Sequence, residues 1–249
     1  MKKIIQKYFL IVALALFSLQ SAVANEIYIE QIGDTLDLDI TQDGSNNEFG
    51  DSTTDALLDG DDMTFSITQT GNLNKIDAKI KGNNYTGTWQ FTGNNNEVDL
   101  TCDDTSGTNC ETVTLNITTT GNSNLFDIYI GESADAQDLV ANFTITGDGS
   151  VVQTDVDGES GKITVVMNNS STSSSTTYSD QATGNASAAG GNFLDIDMAG
   201  DGDVAGHEVS VDVTGGGNFI KVDQSGINDN KVDLDMTGHD NNVNITQSD

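Results

Sequence analysis

Proline and arginine are both absent from this chain of 249 residues, which holds only 2 cysteines, 2 histidines and 1 tryptophan. Each shortage narrows the reading. A continuous ladder of hydrogen-bonded strands admits no proline in its interior, whereas acidic disordered chains commonly carry it, so its absence favours strand pairing. Lysine supplies all the strong base: 9 basic groups face 39 acidic ones, for a formal net charge of −30. Such a surface repels phosphate backbones and anionic bilayers, so neither nucleic-acid binding nor membrane insertion is expected. Cations or a cationic partner are the natural counter-species. Two histidines and two cysteines do not make a zinc site. No nucleophile motif accompanies His207 or His239, both in polar, turn-like contexts, so no catalytic residues and no enzyme activity are expected.

Long apolar runs are scarce as well. The longest, from Tyr8 to Phe17, is too short to span a bilayer. It follows Lys2, Lys3 and Lys7 and precedes Ala22-Val23-Ala24, the basic, apolar, small-residue order of a secretory signal. Cleavage is expected between Ala24 and Asn25, giving residues 1–24 as signal peptide and a secreted chain from 25 onward. Losing three lysines leaves that chain at a net charge of −33. In an exported chain, Cys102 and Cys110 are expected to form a disulfide closing the polar segment between them.

Glycine, at 26 residues, is abundant, and it recurs. Gly33 and Gly44, then Gly71, Gly82 and Gly93, then Gly215 and Gly226 fall about 11 residues apart, with Gly121 and Gly238 in related phrases. Around them runs one pattern: alternating apolar residues, Gln or Thr, one residue, Gly, two residues, Asn, and alternation again. Leu36-Asp37-Leu38-Asp39-Ile40 and Leu194-Asp195-Ile196-Asp197-Met198 show the two-residue period of a half-buried strand. Two strands and two turns take roughly 22 residues, one rung of an all-β solenoid, and the secreted chain holds roughly six to nine such rungs. Trp89 and Phe91 share an inward face and are expected in the core.

The phrase Gln69-x-Gly71-x-x-Asn74-x-Ile76-x-Ala78 resembles the curlin repeat. Gln42-x-Gly44-x-x-Asn47 and Gln31-x-Gly33 look like further copies, Gln224-x-Gly226 is a partial one, and Asn96 and Asn124 fall in the Asn slot. Thr119 stands where Gln is expected before Gly121, and Tyr85 takes the Asn slot after Gly82. The resemblance implies a curlin-like β-solenoid of stacked strand-turn-strand rungs. It further implies a fimbrial subunit of adhesive extracellular amyloid fibres in a biofilm matrix, with itself and export or nucleator proteins as partners. Stacked Gln and Asn amides would satisfy one another inside such a stack.

Two stretches depart from the pattern. Residues 51–62 are acidic and weakly periodic. Residues 168–191 are Ser/Thr/Gly-rich and read as a loop or linker between repeat segments 25–167 and 192–249. The alternative function is a monomeric secreted acidic β-roll adhesin, with weak Ca²⁺ binding at Asp59-Gly60-Asp61-Asp62 or Gly200-Asp201-Gly202-Asp203. No other cofactor is expected.

Overall fold

A computed structural model describes residues 25–51, 53, 55–102, 110–121, 123–131, 136–147, 149–159, 161–168, 191–199, 207–215, 217–224, 230–238 and 241–248. Residues 1–24, expected as a signal peptide, residues 103–109, residues 169–190, Gly200 to Asp203, Gly226 and His239 lie outside them.

Every described element is a strand, and every pairing is parallel. The first sheet has eight strands: Asp37–Asp43, Thr64–Thr70, Thr86–Thr92, Thr114–Thr120, Val140–Thr146, Lys162–Asn168, Glu208–Thr214 and Lys231–Thr237. The second has twelve. Its main path runs Asn25–Ile27, Asn47–Phe49, Lys75–Lys81, Glu97–Cys102, Leu125–Ile130, Ser150–Glu159, Gly191–Ala199, Gly217–Gln224 and Asn242–Gln247. Glu30–Ile32, Ala56–Asp59 and Ala136–Gln137 pair beside it. The chain visits the sheets alternately, so each strand pairs with one a full circuit away. This is a β-solenoid.

The two-residue alternation sets which side chains go inside. In Thr86–Thr92 the odd-numbered residues are buried and the even-numbered ones exposed. Parallel register then stacks like positions: Ile40, Ile67, Trp89, Ile117, Phe143, Val165, Val211 and Leu234 form one column. Trp89 and Phe91 are buried in the core, as expected. Phe49, Phe65 and Trp89 fill its early part, with ring centroids 5.1 and 6.2 Å apart. Beside them Gly87 leaves room: a Cβ there would lie 2.9 Å from Leu115 and 3.0 Å from Tyr85. Large and small residues thus interdigitate along the stack.

The circuit is not constant. Partners one circuit apart are separated by 22, 23, 26, 27 or 28 residues, except across 169–190, where the separation is 42 in the second sheet and 46 in the first. The ladders hold register across these unequal spacings. Across residues 169–190, Lys162–Asn168 pairs with Glu208–Thr214, and Ser150–Glu159 with Gly191–Ala199. The boundary residues of the expected linker, Asn168 and Gly191, are therefore strand residues. Likewise the weakly periodic stretch 51–62 contains the strand Ala56–Asp59, paired on both sides. It reads poorly because the second-sheet strand is interrupted between Phe49 and Ala56, which throws the alternation out of phase.

Candidate functional site: two stacked corners and the outer rungs

Each circuit turns two corners, and their backbones are alike. At one corner Gly44, Gly71, Gly93 and Gly121 have φ of 145–157°, each followed two residues later by a residue near φ 60°: Asn46, Leu73, Asn95 and Ser123. The opposite corner repeats this with Gly33, Gly60 and Gly82, then Thr35, Asp62 and Asn84. What differs is the next residue, the one that points inward.

At the first corner it is asparagine. Asn25 donates its amide to Asn47 at 3.1 Å, Asn47 to Asn74 at 3.0 Å, Asn74 to Asn96 at 2.8 Å, Asn96 to Asn124 at 2.7 Å, and Asn124 to the Ser150 hydroxyl at 3.1 Å. Asn47, Asn74, Asn96 and Asn124 are at most 1 % exposed. Each Nδ2 also reaches a backbone carbonyl of its own or the next turn: Thr70, Thr92, Gly93 and Gly121 respectively. An amide carries both donor and acceptor, so a row of them closes its own hydrogen-bond account without water. The glycines hold the turns close enough for this. At Gly93, φ +147, a Cβ would sit 1.4 Å from the Gly71 carbonyl oxygen.

At the second corner the inward column is Leu36, Met63, Tyr85, Val113, Leu139, Gly161, His207 and Asn230, tied by backbone bonds such as Thr86 N to Met63 O at 2.9 Å. Hydrogen bonding moves to the outside: Asp34, Asp61 and Asn83 side-chain oxygens accept the backbone N–H of Asp61, Asn83 and Glu111 in the next turn. Tyr85 therefore does not replace an asparagine; it belongs to the other corner, whose inward slot is held by bulky, mainly apolar side chains from Leu36 to Leu139. The expected disulfide Cys102–Cys110 is present at this corner, with both cysteines buried. His207 is buried as well, not in a polar turn; Gly161 N–H donates to its Nδ1 at 3.2 Å.

The glutamines do not form one row. Gln69 donates to Gln42 at 2.7 Å in the first sheet, but Phe91 and then Thr119 occupy the next rungs. Gln224 lies in the second sheet, where it accepts from Gln247 at 3.1 Å. Gln31 is also in the second sheet, in Gln224's column but at the far end of the stack: it is registered against Leu58 and donates to Gly33 O at 2.7 Å, so it is no member of the Gln42 row. Gly215 and Gly238 lie at turns of the amide corner's later circuits.

Two members of the row carry no repeat signal of their own: Asn25, the expected cleavage flank, and Ser150, which replaces asparagine after Gly147. Asn218, buried at 1 %, follows Gly215 at the repeat spacing and stands in the same register column. That last signal was legible.

A row of carboxylates lies on the outer face of the second sheet. Asp77, Asp99 and Asp127 are registered on consecutive rungs, with Lys75 3.8 Å from Asp77 and 3.2 Å from Glu97. Burial, a hydrogen bond with Asp55 and the charges of Asp99 and Asp55 push the Asp77 carboxyl up to about 7. Burial likewise raises Asp99, and Asp195 beside Lys221. The Asp59-Gly60-Asp61-Asp62 turn is committed to its neighbours: Asp61 accepts from Asn83 N, and Asp62 from Asn84 Nδ2 at 2.9 Å. Among the described residues, no group of His, Cys, Asp or Glu is arranged to hold a metal ion.

The outermost described strands pair on one side only. At one end Ile27, Ile29, Leu36 and Leu38 are half-buried; at the other Val232, Leu234 and Met236 are half-buried, and Val243 and Ile245 are 42 and 41 % exposed. No protein-family model, no curated protein and no solved structure matches this chain.

Proposed function

We propose that the chain is a non-enzymatic, secreted structural subunit that adds end to end into curli-like extracellular fibres serving adhesion and matrix. The observation that carries this is the likeness of the two outer rungs, column by column. Tracing the register through the stack brings Asn25 into the column of Asn241, Ile27 into that of Val243, and Ile29 into that of Ile245. Gln31 shares a column with Gln247, Leu38 with Val232, and Ile40 with Leu234. A second copy seated on the last rung would continue every one of these columns in kind. The direction of the asparagine row supports it too: each amide donates toward the later rung, so the first Asn offers an acceptor to a preceding copy. Such an interface is heterologous and does not close, the geometry of a filament.

Charge opposes assembly. At a net charge of −33 for the chain from Asn25 onward, stacked copies repel, and salt screens that repulsion, down to a range of about 3 Å at 1 M. Electron microscopy and fibre diffraction of the mature chain, residues 25–249, across a salt series are the test. Filaments with a meridional repeat of about 4.8 Å, growing in with salt and lost in Ile245→Lys, are the expected result. Discrete monodisperse particles at every salt concentration would refute the reading.

A further inference from the structure

The outer faces of the two sheets differ in charge over the same circuits. On the second sheet, outward positions carry Lys75, Asp77, Lys79, Glu97, Asp99 and Asp127. On the first sheet, the four strands Thr64–Thr70, Thr86–Thr92, Thr114–Thr120 and Val140–Thr146 present no charged residue at all. In a chain with 39 acidic groups this is a distinct neutral patch. Threonine fills most of its outward positions, the exposed row Thr70, Thr92, Thr120 and Thr146 being one complete line. The four strands pair residue for residue over seven positions without a bulge or slip.

The hydroxyls and methyls therefore form a two-dimensional lattice, with repeats of about 4.8 Å between strands and about 6.6 Å along them. An uncharged face points to an uncharged partner, and a periodic face to a periodic one. Oxygen rows on the faces of an ice crystal repeat at nearly these two spacings. Each threonine offers a hydroxyl that can join a water lattice and a methyl that orders water beside it. A crystalline polysaccharide is the other neutral lattice, but these outward positions hold no aromatic ring to stack on a sugar. We infer that the threonine face of the first sheet binds the surface of ice, while the acidic remainder of the molecule stays hydrated. This goes beyond the fibre reading and uses a different surface.

Ice-affinity partitioning tests it: ice is grown slowly from a dilute solution of the full chain, and the ice and liquid fractions are assayed. The chain is expected to be enriched in the ice and to slow recrystallisation. Thr118→Arg, at an exposed mid-face position, should reduce incorporation to that of an unrelated acidic protein, while Thr101→Arg on the opposite face should leave it unchanged. Circular dichroism confirms that both variants keep the β fold. Exclusion of the parent chain from ice, equal incorporation of Thr118→Arg, equal loss in both variants, or binding to cellulose but not ice would each overturn the proposal.

Discussion

Two polar rows climb the same stack and behave oppositely. The asparagines at the corner and the aspartates on the second sheet's outer face are each repeated rung over rung, at the same strand spacing. An amide meets its copy as donor to acceptor. A carboxylate meets its copy as like charge to like charge, and needs a lysine or a proton between them. Stacking is therefore neutral as a device: it multiplies whatever a side chain does to its own kind. The amide row is buried and holds register; the carboxylate row stores repulsion that solution conditions can relieve.

The comparison can be broken first at the backbone. Gly93→Ala forces a Cβ against the Gly71 carbonyl at a φ that alanine avoids, so that turn and the rung above must separate. The expected loss is about 4 kcal/mol or more, read as a lowered thermal transition by circular dichroism. Gly82→Ala, where the corresponding distance is 2.2 Å rather than 1.4 Å, should cost less. Next, Asn96→Asp turns one member of the amide row into a member of the other kind. It keeps the acceptor, removes the donor to Asn124 and buries a charge, at an expected cost of about 3–5 kcal/mol at neutral pH. If Asn96→Asp melts like the parent, the amide row is not buried or not continuous.

The alternation in Leu36 to Ile40 was enough to read strands, and the recurrent glycines enough to read a solenoid, because both follow from local backbone geometry. The roles of the two corners were not separable. A period of about 11 residues overlays them, since the turns share one backbone and differ only in the side chain that follows. A single period consequently sets Gln31 and Tyr85 against the wrong corner, and puts Gln224 with Gln42 and Gln69 of the other sheet. The strand Ala56–Asp59 was hidden by the interruption before it. The carboxylate row was invisible for another reason: Asp77, Asp99 and Asp127 are far apart in sequence at unequal intervals, and only register joins them.

Register also makes the carboxylate row testable by pH. Burial and its acidic neighbours raise folded Asp77 to about 7, above the roughly 3.9 of an unfolded aspartate. A carboxyl raised by folding binds its proton more tightly in the native state, so its contribution is fully present below about pH 4 and is lost as pH rises through about 7. Asp77→Asn should match the parent's melting temperature at pH 4, exceed it at pH 8, and show a flatter profile between. A parent profile that instead loses this increment on acidification would mean that Asp77 is paired rather than repelled. Lys75→Met probes the same row most gently. Glu97 and Asp77 hold the Lys75 ammonium in place against partial burial, and the pairs are partly solvated, so the loss should be about 1 kcal/mol or less near pH 8. With the cation gone, Asp77 should titrate at a still higher pH, shifting the onset of acid stabilisation upward. Carbon-13 NMR of the Asp77 carboxyl in both proteins reads that shift directly; an unmoved titration would show that Asp99 and Asp55, not Lys75, govern the row.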